Sequence, residues 1–468
     1  MDREQLMGES KIFPLIMKFS LPMIVGMLVN ALYNTVDRIY IGQKIGNMGI
    51  AGITAAFPLM MIFMGFSMLI GFGSTSLLAI RLGEKKEDEV RVITANSLIL
   101  LMIISVLITV LGLVFLEPLL KIFGASETVM PYAKDYLEII VLGASFQALG
   151  FGMNNQIRAL GSPKVAMMTM FVGAAINIVL DPIFIFVFEW GMKGAALATI
   201  LSMLASGVWV MFYLFGSKND LRPRREDYKL NYDVIKNIVS MGTPSFLMQI
   251  ASSGLMILLN YTLFSHGGDI ALSAMGIGMS MNNLIMMPVF GLNQGIQPIV
   301  GYNFGAKKYD RVRSVVRMGM AIATLFVTIG FLMSMIFPRQ LVMLFNSSDD
   351  NLIEMSARTL RIIMIAMPII GFQVIGSGFF QAIGRPKQST IITLSRQLLV
   401  LIPLVAILPY YFGLDGIFYS MPISDLIAGV LSAVWVFYQM KNLEKAGAEQ
   451  DLLGDPFRVE DYVTEDLL

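Results

Sequence analysis

Gly83-Glu84-Lys85-Lys86, followed by Val90-Arg91, recurs 222 residues further on as Gly305-Ala306-Lys307-Lys308, followed by Val312-Arg313. Pro22 and Pro244 stand at the same interval, as do Gly191 with Gly413 and Gly194 with Gly416. Ala159-Leu160-Gly161-Ser162-Pro163-Lys164 returns as Ala382-Ile383-Gly384-Arg385-Pro386-Lys387, at an interval of 223. One G-x-P-K match arises by chance, but several marks at one spacing do not. The chain is a tandem repeat, and the residues between the marks decide its architecture.

Those residues are apolar. Of 468 residues, 56% are hydrophobic and 14% charged, where soluble domains carry about 25% charged. Mean hydropathy is +0.71. The apolar runs exceed the roughly 20 residues that cross a bilayer. Twelve spans are expected near 13–41, 50–80, 92–116, 132–160, 165–188, 192–215, 235–264, 270–302, 314–338, 355–383, 389–411 and 415–440. The repeat divides them six and six. Six is even, so both halves cross the membrane in the same sense. The expected fold is an all-α integral membrane protein of twelve transmembrane helices. Its two six-helix bundles are related by a pseudo-twofold axis along the membrane normal. The expected layout is an N-lobe at 1–215, a polar and basic cytoplasmic linker at 216–233, a C-lobe at 234–445 and an acidic, unstructured tail at 446–468.

Basic residues orient the bundle. They cluster after even-numbered spans, as in Arg81-Lys85-Lys86, at Arg158 and Lys164, in Arg222 to Lys229, in Lys307-Lys308-Arg311-Arg313 and at Lys441 and Lys445. The alternate loops hold single lysines or arginines. The positive-inside rule then places both termini in the cytoplasm.

Formal net charge is +1, which gives no footprint for nucleic acid. There is no cysteine and one histidine, His266, so disulfides and thiolate or histidine metal centres are not expected. No G-x-x-x-x-G-K-[ST] cradle for ATP occurs, and no polar loop pairs acids at the spacing a membrane transferase needs. The reading is of a protein that moves something and uses no cofactor.

The chemistry sits inside the spans. Asn30, Asn34 and Asp37 fall at i, i+4, i+7 in the first span and share a helix face. A carboxylate there costs about 2.5–3.5 kcal/mol at the bilayer centre, unless it faces polar space and meets a proton or cation. Asn177 and Asp181, one turn apart in the fifth span, point the same way. Two carboxylates, an amide and a hydroxyl offer hard oxygen ligands that suit sodium and serve a proton equally. At the repeat interval Asp37 becomes Leu259, and Asp181 becomes Pro403 or Leu404, so the repeat scaffold alone does not demand these acids. In the second half, Arg396 and Asp425 form an expected buried charge pair. Methionines and amides crowd the second, fourth and eighth spans, and suit a cleft that adapts to varied apolar guests.

Asn30-Ala31-Leu32-Tyr33-Asn34-Thr35-Val36-Asp37-Arg38-Ile39-Tyr40-Ile41-Gly42, Asn177-Ile178-Val179-Leu180-Asp181-Pro182, Gly194-Ala195-Ala196-Leu197-Ala198-Thr199 and the repeated A-[LI]-G-x-P-K resemble the multidrug and toxic compound extrusion (MATE) transporters. Within that family they are similar to the MepA-like bacterial drug exporters. The resemblance covers about 1–445. It implies a monomeric carrier in the cytoplasmic membrane of a prokaryote, expelling cationic, amphipathic organic molecules against inward protons or sodium. It implies an N-lobe cation site, for H+ or Na+, at Asp37, Asn177, Asp181 and Thr199. The seventh-span glutamate of another branch is missing, since Met241 to Phe264 holds Gln249 and Asn260 but no acid. Candidates for the substrate cleft are Tyr33, Asn34, Tyr136, Asn154, Met281, Asn282 and Met286. The alternative is a flippase for lipids or lipid-linked saccharides, which would favour a cationic cleft. The spans offer chiefly Arg396 for that.

Overall fold

The computed structural model describes residues 3–123, 125–217, 219–345 and 349–453, and they are helical with no strand among them. Among these residues, nine helices are long and apolar enough to cross a membrane. The longest, Tyr232–Gly305, contains non-helical Gly268 (φ 60°, ψ −156°) and is two helices meeting there. Two further spans are bent pairs, Met130–Leu142 with Ala144–Ala159 (57°) and Asp350–Met364 with Met367–Ala382 (50°). Divided in this way, the described residues give the twelve spans expected. They are α1 (Ile12–Lys44), α2 (Asn47–Gly83), α3 (Glu87–Val114), α4 (Met130–Ala159), α5 (Pro163–Val187) and α6 (Gly191–Phe215). The second six are α7 (232–267), α8 (269–305), α9 (Tyr309–Ile336), α10 (Asp350–Ala382), α11 (Pro386–Phe412) and α12 (Leu414–Leu453). Helix α12 runs into the segment expected to lack structure, and 454–468 lie outside the described residues.

The repeat is written into the backbone. Positive φ recurs at Gly46 and Gly268, Lys85 and Lys307, Gly161 and Gly384, and Gly191 and Gly413, all 222 or 223 apart. These residues turn the chain between spans, where a left-handed step reverses direction in few residues.

The chain condenses into two compact units. One comprises the described parts of Met1–Ser20, Ala79–Lys85 and Leu258–Leu468, and the other Leu21–Leu78 with Lys86–Ile257. Within the first, α2 and α8 cross at their ends. A Cβ on Gly83 would lie 2.0 Å from the Tyr302 carbonyl oxygen, and one on Gly305 would lie 2.0 Å from that of Ile80. Both pairs are related by the repeat interval. Within the second unit, α2 and α7 touch backbone to backbone, with Gly73 against Ile238 and Gly242 against Leu69. In a membrane, lipid is as apolar as a side chain, so close approach through small residues supplies the helix–helix attraction.

Ile41, Ile53, Leu59 and Phe63 of the second unit pack with Leu137, Val141, Ile185 and Ala195 into a buried core beneath the site described next. The 219–231 linker is docked on this unit. Asn96 of α3 donates to Lys229 O (3.1 Å) and accepts from Asn231 N (2.9 Å), and Leu221 is buried.

Candidate functional site

Four helix ends converge in the second unit. Asp37 lies in the last two turns of α1, Asp181 near the end of α5, Thr199 in the third turn of α6 and Tyr136 in the second turn of α4. Pro182 follows Asp181, and α5 continues as a π-helix over Ile183–Val187. A widened turn after a proline loosens the backbone ladder at that point.

Asn177 and Asp181 are fully buried, and Asp37 and Thr199 are 8% and 7% exposed. The Asn177 amide donates to Asp181 Oδ1 at 3.3 Å, fixing one carboxyl oxygen. The carboxyls of Asp37 and Asp181 are near enough to feel one another's charge. Thr199 donates its hydroxyl to Ala195 O at 3.0 Å, and the buried Tyr136 lies beside it. Asp37 Oδ1, Asn177 Oδ1 and Asp181 Oδ2 remain buried acceptors with no hydrogen-bond partner.

That arrangement states a demand. An ionised carboxylate only accepts hydrogen bonds. Two carboxyls this near need something positive between them, because like charges in low-dielectric space repel strongly. Each orphaned buried acceptor costs about 1–3 kcal/mol, and more when charged. A proton shared by the acids lowers the demand, as does a hard cation coordinated by the free oxygens. No cluster of three or more His, Cys, Asp or Glu occurs among the described residues.

The other candidates are placed as follows. Asn34 Nδ2 donates to Asn30 O (2.8 Å) and Asn30 Oδ1 (2.9 Å) on the exposed side of α1, beside Tyr33. Tyr136, a candidate for the substrate cleft, is buried near Asp37 and Thr199. Asn154 is engaged between α4 and α5, donating to Ala166 O (3.2 Å) and accepting from the Thr169 hydroxyl (3.0 Å). In the first unit, Met281 and Met286 are buried and Asn282 is half-buried. Arg396 Nε lies 2.5 Å from Asp425 Oδ1. Arg158, counted from sequence among the basic flanks, is almost fully buried, with Nη1 on Met23 Sδ at 2.7 Å and Nη2 on Asn155 Oδ1.

A repeated helical membrane bundle with a buried acidic pair that calls for a small cation is the frame of a secondary active transporter, not of an enzyme. The chain belongs to the MatE family: the model of that name matches residues 22–183 and again 244–407, one match in each repeat. It is 29% identical over 437 residues to the multidrug export protein MepA of Staphylococcus aureus (strain NCTC 8325 / PS 47), covering 93% of this chain and 95% of the relative. Among solved structures it is similar to the MATE multidrug transporter DinF-BH, at 38% identity, TM-score 0.87 and coverage of 92% and 96%. It also matches an outward-facing multidrug resistance MATE transporter of the MOP superfamily, at 26% identity, TM-score 0.89 and coverage of 95% and 99%. The family suggested by the sequence motifs is thus the right one, and the chain is a multi-pass membrane protein.

Proposed function

We propose that this protein is a multidrug exporter that drives cationic or amphipathic organic compounds out of the cell in exchange for inward protons or sodium. The burial of Asp37, Asn177 and Asp181, with one side-chain oxygen on each left without a hydrogen-bond partner, carries the reading. Relatives of nearly equal length named as multidrug exporters support the substrate class. In this reading Asp37, Asn177, Asp181 and Thr199 hold the coupling ion in an N-lobe of 1–215, joined by the linker at 216–233 to a C-lobe of 234–445. Both termini are cytoplasmic, and the site therefore lies toward the outer face. Substrate enters from the inside; after the carrier opens outward, an external cation binds the acids and lowers substrate affinity. The membrane potential supplies about 2.3 kcal/mol per charge per 100 mV.

The test is dye extrusion from proteoliposomes under an imposed proton gradient or an imposed sodium gradient, with wild type beside Asp37→Asn. One of the two gradients drives extrusion, which identifies the ion, and the variant loses it at an unchanged folded amount. Extrusion indifferent to both gradients and to Asp37→Asn rules the coupling assignment out.

A further inference from the structure

We propose that Arg396 is an anion-docking arm, and that the carrier accepts amphiphiles bearing a carboxylate, chiefly zwitterions, through it. Arg396 lies ten residues into α11 from Pro386, and Asp425 eleven residues into α12 from Leu414. At 1.5 Å per residue, both are roughly 15 Å from the ends of their helices, near the middle of a 30 Å hydrocarbon core.

The two partners are not equally accessible. The Asp425 side chain is 4% exposed and that of Arg396 is 30% exposed. A molecule reaching this place therefore meets the guanidinium, with the carboxylate hidden behind it. The bond to Asp425 is made by Nε, and the two Nη nitrogens make no hydrogen bond among the described residues. Asp425 thus holds the guanidinium by one edge and leaves the outer N–H fork presented. Such a fork matches a carboxylate or phosphate with two parallel hydrogen bonds. Hydrocarbon cannot satisfy those donors, so the proposal requires polar space beside the exposed part of Arg396.

The backbone is shaped to the same end. Ser395–Leu401 is a π-helix, a wide turn that frees a carbonyl and recurs at functional positions. The freed Arg396 carbonyl accepts from the Ser424 hydroxyl at 2.6 Å, so α12 fixes both the backbone and the side chain of Arg396. The scaffold does not require the pair. At the 222-residue interval Arg396 corresponds to Ala174 and Asp425 to Met203. Phosphate on a lipid headgroup sits at the interface rather than at this depth, which favours a carried solute. That last step rests on the export reading above; the docking chemistry does not.

The experiment is equilibrium binding of a matched dye pair to purified full-length protein, followed by fluorescence anisotropy. Rhodamine B carries a free carboxylate, and its ethyl ester carries the same cation without it. The variant is the double substitution Arg396→Gln with Asp425→Asn, which leaves no unpaired buried charge; Arg396→Lys is the second variant. The double variant should bind the acid about tenfold more weakly and the ester as wild type does, the ester reporting that the fold is intact. Arg396→Lys should fall between, since an ammonium keeps the charge but not the fork. Equal weakening of both dyes overturns the proposal, as does no change in either, or failure of wild type to bind the acid. If binding is acid-selective but the same protein extrudes neither dye from proteoliposomes, the export reading fails and the docking arm stands.

Discussion

Replacing Gly83 or Gly305 by alanine tests whether the α2–α8 crossing holds the first unit together. In either variant the new methyl carbon would sit 2.0 Å from a carbonyl oxygen of the partner helix, whereas ordinary contact begins at 3.4 Å. The helices must separate by about 1.4 Å, and the obstacle is backbone, which cannot swing aside as a side chain does. Overpacking of this kind costs about 1–3 kcal/mol. The alanine returns at most about 1 kcal/mol through helix propensity. The net is a loss, and the repeat makes the two substitutions equivalent, so their losses should match. Gly254→Ala and Gly276→Ala are the controls, since a Cβ there meets nothing within 4 Å. They should be neutral or slightly stabilising. Thermal unfolding in detergent, followed by tryptophan fluorescence, should show Tm a few degrees lower for Gly83→Ala and Gly305→Ala than for the controls. If Gly83→Ala unfolds together with Gly254→Ala, the close crossing is not a constraint on the fold, and the reasoning from backbone contact fails.

Asp181→Asn should reduce gradient-driven dye extrusion by about 100-fold or more, because an amide keeps the shape of the side chain but neither exchanges a proton nor offers a cation a charged oxygen. The folded yield measured by size-exclusion chromatography should stay at the wild-type level. Thr199→Ala should cost less, about tenfold in the same assay, since it removes one neutral oxygen. Asn96→Ala leaves the Lys229 carbonyl and the Asn231 amide without their partner, at about 1–3 kcal/mol; trypsin should then cut the Arg222–Arg225 stretch several times faster, and an unchanged cleavage rate would mean the linker is held elsewhere. Lys44 lies 2.8 Å from Glu189 and holds that exposed carboxyl below the usual carboxylate range. A lowered folded-state pKa gives stability present above the ordinary carboxylate range and lost as pH falls through the lowered value. With both partners solvated, Lys44→Gln should leave Tm at pH 7 unchanged in 0.15 M salt. Carbon-13 titration should show the Glu189 carboxyl returning toward its ordinary range.

The sequence exposes the architecture because the repeat and the span lengths are local signals. Gly191 and Gly413 can be matched by eye, and both take positive φ. Gly46 and Gly268 do the same but lie in otherwise dissimilar turns, so only the backbone reveals them as partners. The apolar pattern ends α7 at 264 and starts α8 at 270, short of the structure, because a helix can run on to a single glycine hinge where polarity suggests a loop. Within the site, Asn177 and Asp181 are readable as one turn of one helix. The nearness of Asp37 to Asp181 is not, because it joins helices separated by more than a hundred residues and depends on how α1 and α5 pack. Tyr136 is hidden for the same reason: its nearness to Thr199 depends on how α4 packs against α6. Arg158 looks like a charged flank because it precedes a G-S-P-K turn, but close packing at that end encloses the guanidinium.

The two repeats share turns and glycine crossings, yet their chemistry diverges where a transporter would need it to. In the first repeat, Asp37 and Asp181 make a buried group that calls for positive charge. The matching position of the second repeat, Leu259, is packed and apolar. The second repeat instead holds Arg396 with its fork outward and Asp425 behind it, where the first has Ala174 and Met203. Buried charge is costly in a membrane and is kept only where it is paired or used. The two departures from symmetry also differ in sign: buried carboxyls in one, a part-exposed guanidinium in the other. If the two proposals above hold, a duplicated carrier that kept one scaffold, with a cation site in one half and an anion-receiving arm in the other, divides coupling from recognition. Substitutions at Asp37 or Asp181 should then alter the dependence of transport on the ion gradient for every substrate, while substitutions at Arg396 should alter only which substrates bind. A variant at Arg396 that changes the ion dependence for the ester dye would contradict that division.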